Sequence, residues 1–305
     1  MSLDIKYGVS TWLWMSPFST SSIEPLFSKI SSLGFDVVEI AVEDPGIIDI
    51  NAVIKGLEKY KLKAVICGAF GPTRDLTHED PAVHQNCFSY IAKCLDFCVA
   101  VGNDFFSGPM YSAVGKARLL PPEKRKMEWD LAARNLRIVC EMAAERGLKI
   151  ALEPLNRFES DLVNNVDDVV RLIDAIGHPA AGIMIDGFHM SIEERDVEAA
   201  IKKAGNKLLH VQVSENYRGT PGTGQTPWDA YKRGLEAINY KGVVSIESFT
   251  TENQELAGAV CFWHPMADSQ DQFAIDGLRF LKQWGNSAET DHQPSLNYKT
   301  MANGK

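Results

Sequence analysis

Four short apolar segments in the second half of the chain carry, at or near their ends, a side chain that could bind a metal ion or move a proton. These side chains are Glu153, Asp186, Gln212 and Glu247. A carboxylate at the end of an apolar strand costs desolvation energy unless a cation or hydrogen bonds meet it. Four such donors on adjacent strands could surround one divalent cation, and two carboxylates on opposite sides of a substrate could take and return a proton. We therefore predict a metal site made by these four residues, with Glu153 and Glu247 as the catalytic pair.

Each acid taken alone also has a structural explanation. A carboxylate in such a position can cap a helix, or it can pair with Arg157 or Arg218. The explanation is weaker for all four together, because they follow four successive strands and should meet at one end of a shared sheet.

The rest of the chain supplies the elements that would hold these residues. Short β-branched runs alternate with longer amphipathic ones. The predicted strands are 7–12, 37–42, 64–67, 105–106, 150–152, 182–185, 208–213 and 243–246. The predicted helices are 23–33, 50–60, 81–101, 121–146, 166–176, 197–203, 228–238 and 272–284. Strands that are apolar throughout are typical of a parallel sheet buried on both faces.

Eight strand–helix units without a composition break predict an α/β fold, a closed (β/α)₈ barrel, as one domain over residues 1–286 with a polar tail at 287–305. No Gly-x-Gly-x-x-Gly follows the first strand, which argues against a dinucleotide-binding sheet. In a barrel of this kind the functional residues lie at the carboxyl ends of the strands.

Composition limits the partners. The chain has 305 residues, a net charge of −9 and 23% charged residues, so a nucleic-acid partner is not expected. No apolar run is long enough to cross a membrane, and the start of the chain lacks the pattern of a signal peptide. The cysteines lack the spacing of a zinc or redox motif. We expect reduced thiols, a cytoplasmic protein and a small-molecule substrate.

Four ordered motifs carry a family resemblance. They are EPLNRFE at 153–159, MIDGFHM at 184–190, HVQVSENYRGTPGTG at 210–224 and SIESF at 245–249. The chain, from its first strand to about residue 285, resembles the D-tagatose 3-epimerase and D-allulose 3-epimerase family of xylose isomerase-like barrels. This resemblance implies a Mn²⁺, Co²⁺ or Mg²⁺ ion and a free ketose as substrate. It places the metal-binding carboxylates at Glu153, Asp186 and Glu247.

The resemblance also places substrate-binding residues at Glu159, His189 and Arg218. The chain departs from the family pattern at Gln212, where the family has a metal-binding histidine. The amide oxygen of Gln212 would make an all-oxygen site, which favours Mn²⁺ or Mg²⁺ over Zn²⁺.

A second departure concerns the loop after strand four, where the family often has a tryptophan that contacts the sugar. Tyr111 and Ser112 lie there in this chain, which predicts a wider pocket with Tyr111 as a substrate contact. Trp14, after strand one, is a further candidate for the pocket wall, because aromatic faces stack well on sugars. Cys67 is another candidate, because it lies at the end of strand three.

The leading hypothesis is a metal-dependent isomerase that inverts C3 of a free ketose through a cis-enediolate, by proton transfer between the two glutamates. The same residues would also suit an aldose–ketose isomerase, or an epimerase or lyase of 3-oxo sugars and glycosides. The non-enzyme alternative is a metal-free barrel that binds a sugar or a protein partner. Residues 249–268 form a segment that could cover the site or make a subunit contact, and its aromatic residues favour a homodimer or homotetramer.

Overall fold

A computed structural model of the protein describes residues 3–287. Eight parallel strands form a closed barrel in sequence order, and the last strand pairs with the first. The strands are β1 Lys6–Ser10, β2 Val37–Val42, β3 Lys63–Gly68, β4 Phe105–Gly108, β5 Lys149–Leu152, β6 Ala181–Asp186, β7 Leu208–Val213 and β8 Val243–Ile246. The predicted (β/α)₈ barrel is confirmed.

The longer helices surround the barrel and bury their apolar faces against it. The helices of the described residues are α1 Ile23–Leu33, α2 Ile50–Tyr60, α3 Pro81–Val101, α4 Pro122–Ala144, α5 Val166–Ile176, α6 Gly187–Glu193, α7 Val197–Ala204, α8 Trp228–Ala237, α9 Gln254–Ala259 and α10 Gln270–Asn286. Local chemistry defines their ends. For example, the Asp80 carboxylate accepts a hydrogen bond from the second residue of α3, and Gly102 ends that helix at φ 71°, where a side chain would be strained.

The predicted boundaries lie within two residues of the observed ones, and the notable differences are the end of the first strand and two short helices. The first strand ends at Ser10, because the Ser10 hydroxyl accepts a hydrogen bond from the Trp12 amide and starts a 3₁₀ turn, Thr11–Leu13. Helices α6 and α9 were not predicted, since each is shorter than two full turns of clear periodicity. The predicted tail at 287–305 lies outside the described residues except for Ser287.

The pairing register brings the predicted site together. Asp186 lies beside Gln212 across β6 and β7, and Gln212 lies beside Ser245 across β7 and β8. Glu153 and Glu247 each follow the last residue of their strand directly. Among residues 3–287, no helix is both long enough and apolar enough to cross a membrane.

Candidate active site

One cavity of about 760 Å³ opens at the carboxyl ends of the strands. Six of the predicted site residues line it. They are Cys67, Glu153, Glu159, His189, Arg218 and Glu247. This volume lies within the range of about 300–1,000 Å³ that is usual for small-molecule sites. The side chains needed for acid–base chemistry therefore share one space with room for a sugar.

Asp186 and Gln212 do not line this cavity and are fully buried. The Asp186 carboxylate accepts the backbone N–H of Phe188 at 2.9 Å, which caps α6, and pairs with the Arg218 guanidinium. The Gln212 amide donates to Glu247 Oε1 at 2.9 Å. Each of the two is thus linked to a residue of the cavity wall.

Arg218 is the cation that the predicted acids share. Besides its bond to Asp186, its Nη1 lies 3.1 Å from Glu247 Oε2. The guanidinium carbon lies 4.3 Å from the ring centre of Phe188 and 5.2 Å from that of Phe249. Its backbone is left-handed, with φ 63°, a conformation that costs a non-glycine residue about 1–3 kcal/mol and is concentrated at functional sites. The fold therefore accepts local strain to keep this side chain in place.

Glu153 and Glu247 are carboxyls that hold their protons unusually tightly in the metal-free protein. Burial raises the pKa of Glu153 well above its ordinary value, and the charges of Glu247 and Asp186 raise it further. Burial likewise raises the pKa of Glu247 well above its ordinary value, although Arg218 opposes the rise. Burial would also raise the pKa of Asp186, but Arg218 outweighs it, and that pKa is lowered. The two glutamates are consequently the stronger bases of the three acids.

His189 is held by Asn156. The backbone and side-chain N–H groups of Asn156 lie 3.1 and 2.8 Å from His189 Nδ1. The same side chain donates to Glu159 Oε1 at 2.8 Å, and its oxygen accepts from the Phe158 amide, which fixes the orientation of the Asn156 amide. Burial lowers the pKa of His189, which favours the neutral ring. The Asn156 backbone N–H can only donate, so Nδ1 accepts and the neutral ring carries its proton on Nε2, although Arg218 Nη2 also lies 3.4 Å from that atom.

This tautomer decides what His189 can do. Oxygen or nitrogen atoms of Glu153, Asp186 and His189 all lie within 4.8 Å of one another, a spacing that a metal ion could bridge. However, His189 Nε2 presents an N–H rather than a lone pair, and it lies 3.7 Å from both carboxylates. We conclude that His189 suits a hydrogen bond to a substrate oxygen better than metal ligation.

Two predicted substrate contacts lie elsewhere. Tyr111 is fully buried, and its hydroxyl donates to the Val163 carbonyl at 3.2 Å, outside the cavity lining. The Trp14 indole donates to Asp271 at 2.7 Å and lines a separate surface depression. Trp12 lines the cavity in the position predicted for Trp14, and its indole N–H donates to Glu43 at 3.1 Å.

The segment 249–268 covers one side of the cavity. Asn253, Leu256 and Val260, in or next to α9, line it. Phe262 is 3% exposed and packs in a small cluster with Phe249, so it supports the cover and is not free for a subunit contact.

Glu215 lies at the start of the loop that carries Arg218 and is fully buried. Its carboxylate accepts from the backbone of Gly222 and Thr226 and from the Trp228 indole. It therefore fixes the loop that carries Arg218 and does not face the substrate.

Sequence reasoning missed Asn156 and Arg74. Arg74 lines the cavity and donates to the carbonyls of Ala69 and Glu43. Asn156 lies inside the EPLNRFE motif at 153–159, so its position was a usable signal. Arg74 is a lone arginine in a loop, and no sequence pattern marks it as a site residue.

Comparison with known proteins agrees with this geometry. Residues 27–284 match the family described as xylose isomerase-like TIM barrel. The chain is 34% identical to a probable ketose 3-epimerase of Synechocystis sp., over 92% of this chain and 96% of that protein. It superposes on the D-allulose 3-epimerase of Methylomonas sp. in complex with D-allulose with a TM-score of 0.85 and 28% identity, covering 93% and 99% of the two chains.

A further solved structure, the 3-keto-D-glucoside 4-epimerase of E. coli, superposes with a TM-score of 0.77 and 25% identity, covering 92% of this chain and 99% of that one. The metal-capable acids, the cavity and these similarities agree. The chain belongs to the ketose 3-epimerases, carbohydrate isomerases of the xylose isomerase-like TIM barrel family.

Proposed function

We propose that the protein inverts C3 of a free ketose, with Glu153 and Glu247 exchanging the proton. The observation that carries the proposal is the placement of these two buried carboxyls in one cavity, with Arg218 and His189 beside them. One carboxylate takes the C3 proton from one face of the sugar, and the other carboxylic acid returns a proton to the opposite face.

This exchange determines which of the two carboxyls holds the proton after each turnover. A turnover leaves the first carboxyl protonated and the second ionised, so the reverse epimerisation starts from the state in which the forward one ends. Arg218 and the Nε2–H of His189 would donate to the sugar oxygens that gain negative charge as a cis-enediolate forms. Glu159, held by Asn156, would accept from a sugar hydroxyl, and Cys67 would form part of the apolar wall.

The residues present fit a divalent cation. Glu153, Asp186, Glu247 and Gln212 would hold it, and Gln212 Oε1 is a buried oxygen that has no hydrogen-bond partner in the described part of the chain. An all-oxygen set of this kind suits Mn²⁺ best, with Co²⁺ or Mg²⁺ as alternatives. When bound, the cation would polarise the ketose carbonyl as a Lewis acid and make the C3 proton more acidic.

The test is a set of incubations in D₂O of the metal-stripped protein, with and without Mn²⁺, using D-fructose, D-tagatose and a 3-oxo glucoside followed by NMR. We expect Mn²⁺-dependent deuterium at C3 together with the epimeric ketose. Glu153→Gln and Glu247→Gln should each reduce turnover by about 10²- to 10⁴-fold. One of the two should still exchange the C3 hydrogen of a given epimer without inverting it. Glu58→Gln, an exposed acid on α2, is the matched control.

The outcomes separate the alternatives. Deuterium at C1 or C2 would indicate an aldose–ketose isomerase. No exchange at any carbon, from a protein that also holds no metal, would favour a metal-free binding barrel.

A second substrate class, 3-oxo glycosides, is favoured by one observation. The cavity of about 760 Å³ extends beyond the acids to Trp12, Arg74 and Asn253, and leaves room for more than one sugar ring. Conversion of the 3-oxo glucoside alone would select this class.

We also propose a homodimer or homotetramer, located in the cytoplasm. Phe158 and Trp263 are each 71% exposed, as aromatic residues at a subunit contact would be in an isolated chain. Light scattering after gel filtration would contradict this if it gave the 33.8 kDa mass of one chain.

A further inference from the structure

Glu39 is a buried carboxylate that the chemistry above does not use. It lies within β2, whose sequence VVEIAV is otherwise apolar, and it is fully buried. Its partners belong to β7, which is not a neighbour of β2 in the barrel, so the side chain points into the barrel interior. An unpaired buried carboxylate would be costly, so the hydrogen bonds from β7 explain why the barrel tolerates Glu39.

Both oxygens of Glu39 are occupied by β7. Oε2 lies 2.6 Å from His210 Nε2, and Oε1 accepts from Gln212 Nε2. His210 and Gln212 are two residues apart, so they share one face of the strand. Since a carboxylate only accepts hydrogen bonds, both partners must present N–H to it. Glu39 therefore fixes the orientation of two side chains at once.

The Gln212 amide is fully constrained by this arrangement. Its nitrogen has two hydrogens, and both are used, one toward Glu39 and one toward Glu247 Oε1 at 2.9 Å. Its oxygen, Oε1, is buried and has no hydrogen-bond partner within residues 3–287. A free side-chain amide can turn either its nitrogen or its oxygen toward a cation, but only the oxygen can ligate one.

We infer that Glu39 is a positioning residue for metal binding, which holds the Gln212 amide so that its oxygen is presented to the divalent cation. The inference rests on the metal site of the proposed function. A carboxylate that accepts from the outer N–H of a ligand fixes the orientation of that ligand and raises its basicity, as carboxylates do for metal-binding histidines. The carboxylate thereby gives an amide the fixed direction that a metal ligand requires.

A double-mutant cycle tests this. Mn²⁺ binding to the metal-free protein is measured by titration calorimetry and by the EPR signal of free Mn²⁺, for the unaltered protein, Glu39→Gln, Gln212→Ala and the double variant. We expect Glu39→Gln to weaken Mn²⁺ binding by about 10- to 100-fold, as loss of such partners does elsewhere. In the Gln212→Ala background the same change should have little further effect. Glu128→Gln is the matched control, since Glu128 is a buried acid that pairs with Arg118 and does not line the cavity.

Equal Mn²⁺ affinity in Glu39→Gln and the unaltered protein would overturn this inference alone. The same weakening with and without Gln212 would also overturn it, because Glu39 would then act by its charge and not through Gln212. If the unaltered protein binds no Mn²⁺, both this inference and the proposed metal chemistry fail.

A measurement on the unaltered protein avoids dependence on the variants folding. A crystal structure with Mn²⁺ should show the Gln212 oxygen bound to the ion and its nitrogen still donating to Glu39. A Gln212 oxygen turned away from the ion would refute the inference.

Discussion

Arg218 provides a direct test of the electrostatics of the site through Arg218→Met. The change removes the guanidinium that pairs with Asp186 and lies 3.1 Å from Glu247, and leaves both carboxyls buried without it. Asp186, whose pKa Arg218 lowers, is the ionised partner of this buried pair. Removing one partner of a buried ion pair typically costs about 3–5 kcal/mol. We expect the free energy of unfolding of the metal-free variant to fall by about that amount.

The assay is urea unfolding followed by circular dichroism, in EDTA and again with Mn²⁺. Arg157→Met is the matched control, because Arg157 also pairs with a glutamate, Glu193, but its side chain is 63% exposed. Because the Arg157 guanidinium stays largely in solvent, this pair should contribute less to stability than the fully buried one, even though Glu193 itself is 6% exposed. Mn²⁺ should stabilise Arg218→Met more than the unaltered protein, because the cation and the guanidinium are attracted by the same carboxyls and repel each other.

Two results would refute this reasoning. If Arg218→Met loses no more stability than Arg157→Met, the buried carboxyls do not depend on the guanidinium. If Mn²⁺ stabilises Arg218→Met no more than the unaltered protein, the ion does not bind beside Arg218.

Three further predictions concern the supports of the site. Asn156→Ala should lower kcat by about 10-fold or more, since it removes the side-chain bonds to His189 and Glu159 and leaves only a backbone N–H on the His189 ring; unchanged kinetics would contradict this. Asp75→Asn should cost about 3 kcal/mol in urea unfolding, because the buried Asp75 pairs with a largely buried lysine at 2.9 Å; a loss below about 1 kcal/mol would count against it. Glu215 has a folded pKa below its ordinary value of 4.5, because its hydrogen bonds, that from Trp228 foremost, outweigh the effect of burial. Its ionised form therefore adds stability above the ordinary pKa, which is lost as the pH falls through the lowered one. The stability difference between the unaltered protein and Glu215→Gln should shrink over that acid range, and a constant difference would contradict this.

The sequence predicted the barrel well because the signals are local and repeated. Glycines such as Gly34 and Gly102 end helices in left-handed backbone, and apolar strands recur at regular intervals. The short helices α6 and α9 were missed because their few residues show no periodicity, and the cap of α6 is Asp186, a residue that the sequence assigns to the metal site.

The site was predicted in part for a related reason. Parallel strands in a barrel all end on the same side, so side chains at those ends must converge, and Glu153, Glu159, His189, Arg218 and Glu247 do line one cavity. Tyr111 and Trp14 occur in the expected loops, but the direction of a loop side chain depends on which neighbour it packs against. Tyr111 instead meets the backbone of α5's preceding loop, and Trp14 turns toward α10.

The sequence by itself determined the order of the strands, and with it the acids that end them, because helix and strand signals and strand polarity are encoded locally. Only the tertiary structure decided which interior groups meet. Glu39 and Gln212 are 173 residues apart and lie on strands that are not neighbours, so their contact exists only because the barrel closes. Closure also sets the left-handed backbone of Arg218 and the proton position on His189, since both depend on partners from distant loops.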